Sequence, residues 1–127
     1  MKNVIDSSGW VEYFTQGPNT RHFIPLIQDL ENLLVPTICI YEVFKRLIQD
    51  LGEENALQAI GIMSYGQILE LDRKIAMDAA KLSVESKLAM ADSLILATAR
   101  EYEATLWTQD IHFKGIEGVR YFEKRTS

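Results

Sequence analysis

The chain of 127 residues contains a single cysteine, Cys39. That excludes an intramolecular disulfide and any cysteine-rich zinc site, and it suits a reducing compartment. Histidine is almost as scarce. His22 and His112 are not spaced as a ligand pair, and both are expected to be surface residues. No apolar run approaches the ~18–20 residues needed to span a bilayer. The stretch Met1-Lys2-Asn3-Val4-Ile5-Asp6 meets charge too early for the apolar region of a signal peptide. Internal repeats, low-complexity tracts and linkers are also missing. A soluble, cytoplasmic protein with no membrane contact is expected.

Basic charge is in short supply as well. Thirteen Lys and Arg stand against 18 Asp and Glu, a formal net charge of −5. This argues mildly against a general nucleic-acid binder, whose affinity comes largely from cations neutralising phosphates. Net charge sums surface and site together, however. Carboxylates gathered to hold a metal would leave the remaining surface less acidic than the total implies.

What the chain does have is the composition of a globular domain, 47% hydrophobic and 24% charged. Its length fits one domain over residues 1–127, able to bury roughly two-thirds of its unfolded surface. Short apolar runs alternate with longer helical ones, the pattern of an α/β fold around a largely parallel sheet. "KNVID" reads as a strand ending at Asp6, and "SSGWVEYF" as a helix with Ser7 or Ser8 available as its cap. "GPN" is a turn. "HFIPLIQDLE" reads as a second helix, started near or kinked by Pro25. "NLLVP" is a second strand. A helix follows from Thr37 to Leu51, with Ile40, Val43, Phe44, Leu47, Ile48 and Leu51 on one face and Gly52 as its stop. "EENALQAIGIMSYG" is helical, "QILELD" is a third strand, and "RKIAMDAAKLSVESK" is a helix capped by Asp72. "KLAMADSLILATARE" is the last helix. "ATLWT" is a fourth strand, "QDIHFKGIEG" a polar turn and "VRYF" a short fifth strand.

Ligands of open parallel sheets bind beyond the carboxyl ends of the strands, so the polar residues placed there carry the functional question. Asp6 closes the first strand, either as a turn residue or as a ligand. Asp92 shares a helical stripe with Leu88, Ile95, Leu96 and Ala99. A carboxylate there must cap the helix, or else be protonated, paired or metal-bound. Ile95 stands where a capping box would need Glu or Gln. Glu42 falls with Lys45, Arg46 and Gln49 on the polar face of its helix. It either pairs with Arg46 at i+4 or leans towards the sheet edge from the second turn. Asp110 follows Thr108 after the fourth strand, as a turn residue or a fourth acid of the same site. Asp72 is the control, a strand-end Asp read only as a cap.

The ordered set resembles the PIN-domain nucleases, and most closely the VapC-type toxins of toxin–antitoxin pairs. The segments that carry the resemblance are "NVIDSSGWVEYF", "VPTICIYEVFKRL", "ADSLILATA" and "WTQD" followed by "IHFKGIEGVRYF". They cover nearly the whole chain in the family's order. The resemblance implies a three-layer α/β/α sandwich around a mainly parallel sheet of four to five strands. It further implies a ribonuclease acting on a structured tRNA or rRNA, a homodimer, and a cognate antitoxin covering the site. DNA would be contacted only indirectly, through that antitoxin at its own promoter. A catalytically idle PIN fold that serves as a binding partner is the alternative. A phospho-accepting receiver domain fits less well, because Asp6 is followed by Ser7 and the late strand ends in Thr108-Gln109-Asp110 rather than Lys.

Four carboxylates meeting at one edge carry a physical consequence. At ~5 Å and an effective dielectric near 20, each ionised pair repels by ~3 kcal/mol. Such a cluster must bind cations, take up protons or borrow nearby Lys and Arg. Oxygen ligands without His or Cys favour Mg²⁺, with Mn²⁺ as the alternative, over zinc. Asp6 and Asp92 are expected as primary ligands. Asp110 and Glu42 would complete the site directly or through water, and Thr108 or Ser7 would orient a water or a carboxylate. A bound divalent ion activates water for phosphodiester hydrolysis and neutralises the phosphate, so no nucleophilic side chain is needed. Lys45, Arg46, Lys87, Arg100, Lys114 and Arg120 are candidate phosphate contacts. Trp10, Tyr13 and Phe14 are read as core or dimer contacts in preference to base-stacking residues.

Overall fold

A computed structural model describes residues 1–126. Its centre is a five-stranded sheet, parallel at every pairing: β1 (Asn3–Ile5), β2 (Leu33–Pro36), β3 (Gln67–Leu69), β4 (Thr105–Thr108) and β5 (Val119–Tyr121). The spatial order is β3-β2-β1-β4-β5. Of the three inner strands, β1 and β2 are buried along their whole length. That explains why they read as unbroken apolar runs rather than alternating ones, since helices cover both faces of a parallel sheet. Six helices flank it: α1 (Ser7–Phe14), α2 (Thr20–Gln28), α3 (Thr37–Leu51), α4 (Glu53–Met63), α5 (Arg73–Ser86) and α6 (Met90–Glu101). This is the expected three-layer α/β/α sandwich.

The strand order decides where a site belongs. From β1 the chain first builds outward through β2 to β3, then crosses back to lay β4 and β5 on the other side. The reversal leaves a crevice between β1 and β4, the position at which open α/β sheets bind ligands. Ile5 pairs with Trp107 in that ladder, so Asp6 and Thr108 leave the sheet side by side.

Most elements lie where the sequence pattern puts them, and the departures have local causes. Neither Ser7 nor Ser8 caps α1; Asp6 does, its side chain accepting from the Gly9 N–H. Asp72 caps α5 as expected, through the Ile75 N–H. Ala89 precedes α6, so Asp92 sits in the first turn and takes no capping bond. Pro25 lies inside α2, and the expected continuation through Leu30 and Glu31 becomes a separate turn of 3₁₀ helix, Leu30–Asn32. Gly52 ends α3 with a φ of +86°, in the range that favours glycine. The apolar stripe of α3 is only partly covered: Val43 and Leu47 are fully buried, whereas Ile48 and Leu51 are exposed. Trp10 is fully buried and stacks on Phe14, which makes it a core residue. Among the described residues no helix is long and apolar enough to cross a membrane.

Candidate metal centre

Asp6 is held where β1 hands the chain to α1. Its carboxylate accepts from Ser8 Oγ at 2.8 and 2.9 Å and from the Gly9 N–H at 3.0 Å. Only 2% of the residue is exposed. Burial, with a smaller part from the Asp110 charge, pushes its carboxyl up to about 7 against the lowering by hydrogen bonds from Ser8, Thr108 and Gly9. A side chain so placed is uncomfortable as a bare anion.

Across the crevice, Asp110 follows β4. Its N–H donates to Thr108 Oγ1 at 2.9 Å, and its Oδ1 accepts from the His112 N–H at 2.9 Å, opening a single 3₁₀ turn, Ile111–Phe113. Thr108 is fully buried and lies 3.5 Å, oxygen to oxygen, from Ser8. Asp92 reaches the same place from the first turn of α6. Burial first, then the Asp110 and Glu42 charges, raise its carboxyl to about 6, with only His112 in relief. Glu42 comes from the second turn of α3, where Ser7 Oγ donates to it at 2.6 Å. The alternative pairing with Arg46 is not made, because Arg46 binds Asp50 instead, at 2.8 Å. At the carboxyl edge of the sheet the Asp110 charge thus acts on both Asp6 and Asp92, and the Glu42 charge on Asp92. Asp92 and Asp110 stand within reach of one ion, whereas Asp6 and Glu42 lie outside that group.

His112 was expected on the surface, and its side chain is 70% exposed. It nevertheless belongs to the site. Nδ1 stands 3.1 Å from Asp110 Oδ1 and 3.7 Å from Asp92 Oδ2. Asp92, Asp110 and His112 each offer a ligand atom within 4.8 Å of the others, a spacing compatible with one shared ion. The signal in the sequence was local: His112 is two residues beyond Asp110 in a turn that folds back on itself. His22, also expected at the surface, is half-buried and stacks on Phe122 with ring centres 4.2 Å apart. Ser8, read from the sequence only as a possible helix cap, orients Asp6, whereas Ser7 orients Glu42.

The donor set fits a hard divalent cation. It offers carboxylate oxygens from Asp92 and Asp110 plus the rim imidazole of His112, and Asp6 and Asp92 are held above their usual range by burial and by like charge. A cation is the group that would relieve both effects at once.

Two grooves adjoin the acids. One of about 330 Å³ is lined by Ser7, Ser8, Glu42, Arg46 and Lys124 among others. The second, about 530 Å³, is lined by Ser8, Asp110, Tyr121 and Lys124 among others. Lys124, not among the expected phosphate contacts, borders both. Several of the expected cations are occupied elsewhere. Lys114 lies over the Tyr121 ring, Arg120 over Trp107, and Arg100 donates to the Glu117 carbonyl.

Residues 4–119 match the family model of the PIN domain, and the chain belongs to that family. Solved structures share the fold. A toxin–antitoxin complex from Klebsiella pneumoniae superposes with a TM-score of 0.78 at 24% identity, over 94% of this chain and 96% of that one. VapBC2 from Rickettsia felis, bound to a DNA fragment from its promoter, gives 0.75 at 19% identity over 96% and 98%. VapC20 from Mycobacterium tuberculosis, a toxin that cleaves the sarcin–ricin loop, gives 0.72 at 12% identity over 89% and 92%. No curated protein matches by sequence.

Proposed function

We propose that this protein is a Mg²⁺-dependent endoribonuclease, the VapC-type toxin of a toxin–antitoxin pair, hydrolysing a phosphodiester in a structured RNA. The observation that carries the reading is the grouping of Asp92, Asp110 and His112 within reach of one ion, with Asp6 and Asp92 held above the usual carboxylate range by burial and by neighbouring acids. Family membership and the likeness to toxin–antitoxin structures support it.

Asp92 and Asp110 are the residues that would hold the ion, with Asp6 and Glu42 completing the site directly or through water; Mn²⁺ would serve in place of Mg²⁺. When bound, such an ion lowers the pKa of water and offsets the phosphate's charge. The protein's own part is positioning. Ser8, Thr108 and the Gly9 N–H fix the Asp6 carboxylate, and Ser7 turns Glu42 towards the crevice. Water attacks phosphorus, and the P–O bond opposite the attack breaks. The leaving oxygen takes a proton, so the products are two RNA ends. In the cell, a cognate antitoxin would cover the acids and carry any DNA contact, and the toxin would dimerise.

Incubation of purified protein with total RNA and Mg²⁺ tests this reading. Discrete cleavage is expected, abolished by chelation and by Asp6→Asn or Asp92→Asn in variants whose circular dichroism is unchanged. Cleavage that survives both substitutions, or none by the parent protein with either Mg²⁺ or Mn²⁺, overturns it.

A further inference from the structure

Beside the acids lies a second polar cluster, buried and without any cationic member. Glu12 of α1 is 8% exposed, Asn19 before α2 is 1% and Gln109 after β4 is 5%. They are joined in series. Glu12 Oε2 accepts from the Asn19 backbone N–H at 2.6 Å, and Gln109 Nε2 donates to Glu12 Oε1 at 3.1 Å. Asn19 Nδ2 donates to Gln109 Oε1 at 3.0 Å and to the Glu123 carbonyl at 2.9 Å. Two points near the start of the chain and two near its end are thus tied together. Gly17 makes room for it: a Cβ there would collide with the Glu12 carboxylate. Burying this much polarity costs stability unless every group is satisfied, and here the bonds close.

Gln109 stands between Thr108 and Asp110, the buried hydroxyl and the half-buried acid of the candidate site. We propose that Glu12, Asn19 and Gln109 form a clasp that sets the Asp110 carboxylate for cation binding, with Glu12 and Gln109 as positioning residues. This rests on reading the acids as a cation site. The clasp acts on Asp110 through one peptide link, and it pins the segment at Glu123 on its other side.

The clasp has a direction, which makes it testable. One end is a fixed donor, the Asn19 backbone N–H; the other is a fixed acceptor, the Glu123 carbonyl. Glu12→Gln alone sets like against like somewhere along the series whichever way the amides turn, donor on donor within it or acceptor on acceptor at the Glu123 carbonyl. Gln109→Glu alone sets carboxylate against carboxylate. Together they restore every bond. The amide of residue 12 then donates to the carboxylate of residue 109, whose other oxygen still accepts from Asn19 Nδ2.

Mn²⁺ titration calorimetry on the full chain reads the outcome. Each single variant is expected to bind Mn²⁺ about 10-fold to 100-fold more weakly, the usual effect of losing a partner behind a metal ligand. The Glu12→Gln, Gln109→Glu double variant is expected to return to within a few-fold of the parent. Ile75→Val, a destabilising change between α5 and α6, should leave the affinity unchanged, separating positioning from loss of stability. Should a single variant not fold, Gln109→Met removes the bonds without opposing like groups and is expected to weaken binding in the same way. Parent-like affinity in folded single variants, or a double variant no better than the singles, overturns the clasp while leaving the cation site standing. A parent protein that binds no Mn²⁺ overturns both.

Discussion

Ser7 Oγ donates to Glu42 Oε1 at 2.6 Å, joining the first turn of α1 to the second turn of α3 across 35 residues of chain. The bond takes a glutamate from the polar face of its helix and commits it to the crevice, where its charge acts on Asp92. Ser7→Ala should release Glu42 towards solvent. The expected result is a loss of kcat/KM of about 10-fold, in the lower part of the range for outer partners of a metal site. Stability should fall by only about 1 kcal/mol, the net worth of one hydrogen bond. Steady-state cleavage kinetics and urea unfolding measure the two. Kinetics like those of the parent would show that Glu42 needs no orientation.

The raised carboxyls make stability depend on pH in a stated direction. In the folded chain Asp6 and Asp92 protonate near 7 and 6, against 3.8 for an unperturbed Asp. Between those limits the native state binds more protons than the unfolded one, so stability falls as pH rises. The contribution is full below about pH 4 and lost by about pH 7, on the order of 4 kcal/mol for Asp6 alone. The metal-free protein, held in chelator, should therefore melt at progressively lower temperature between pH 4 and 7.5. Asp6→Asn, which keeps the cap on Gly9, should flatten that slope and raise the melting temperature at pH 7.5. A melting curve independent of pH over this interval, in parent and variant alike, contradicts the burial of these anions.

Lys124 borders both grooves beside the acids, where Lys114 and Arg120 are turned to aromatic rings. In a non-cleaving Asp92→Asn background, Lys124→Gln should weaken RNA binding several-fold. It should also reduce the slope of log K against log salt by about 0.7, the value for one phosphate contact on a single strand. Lys81→Gln, in the α5–α6 groove away from the acids, should do neither. Equal slopes for the two variants would place the RNA path elsewhere.

His112 gives the oxygen-rich site one nitrogen donor, which suits Mn²⁺ better than Mg²⁺. His112→Ala should reduce Mn²⁺ affinity several-fold and leave Mg²⁺ affinity nearly unchanged, both read by calorimetry. An equal loss for both ions would make the imidazole a general support of the acids and not a ligand.

The comparison of sequence with structure separates what local pattern encodes from what only packing creates. The helix from Thr37 to Leu51 is legible because its period and its terminal Gly52 agree. Asp92 is legible because an acid stands among apolar neighbours at helical spacing, and α6 indeed buries Ile95, Leu96 and Ala99 around it. Glu42 is the harder case, since periodicity assigns it to solvent and only Ser7, far away in sequence, turns it inward. His112 is marked only by standing two residues beyond Asp110, and the clasp of Glu12, Asn19 and Gln109 carries no signal of its own. They are ordinary polar residues until the β1–β4 crevice closes and distant segments supply their partners. Local rules also mistook the cap of α1, where Asp6, Ser7 and Ser8 are all competent and only the geometry at the strand end selects Asp6.

The most direct measurement is the anomalous scattering of Mn²⁺ in crystals grown or soaked with the ion at neutral pH. We expect one strong peak at the β1–β4 crevice, within coordination distance of carboxylate oxygens of Asp92 and Asp110 and with Asp6 completing the shell directly or through water. A map without a peak among these acids at saturating Mn²⁺, from a protein that nonetheless cleaves RNA, contradicts a metal-based site there.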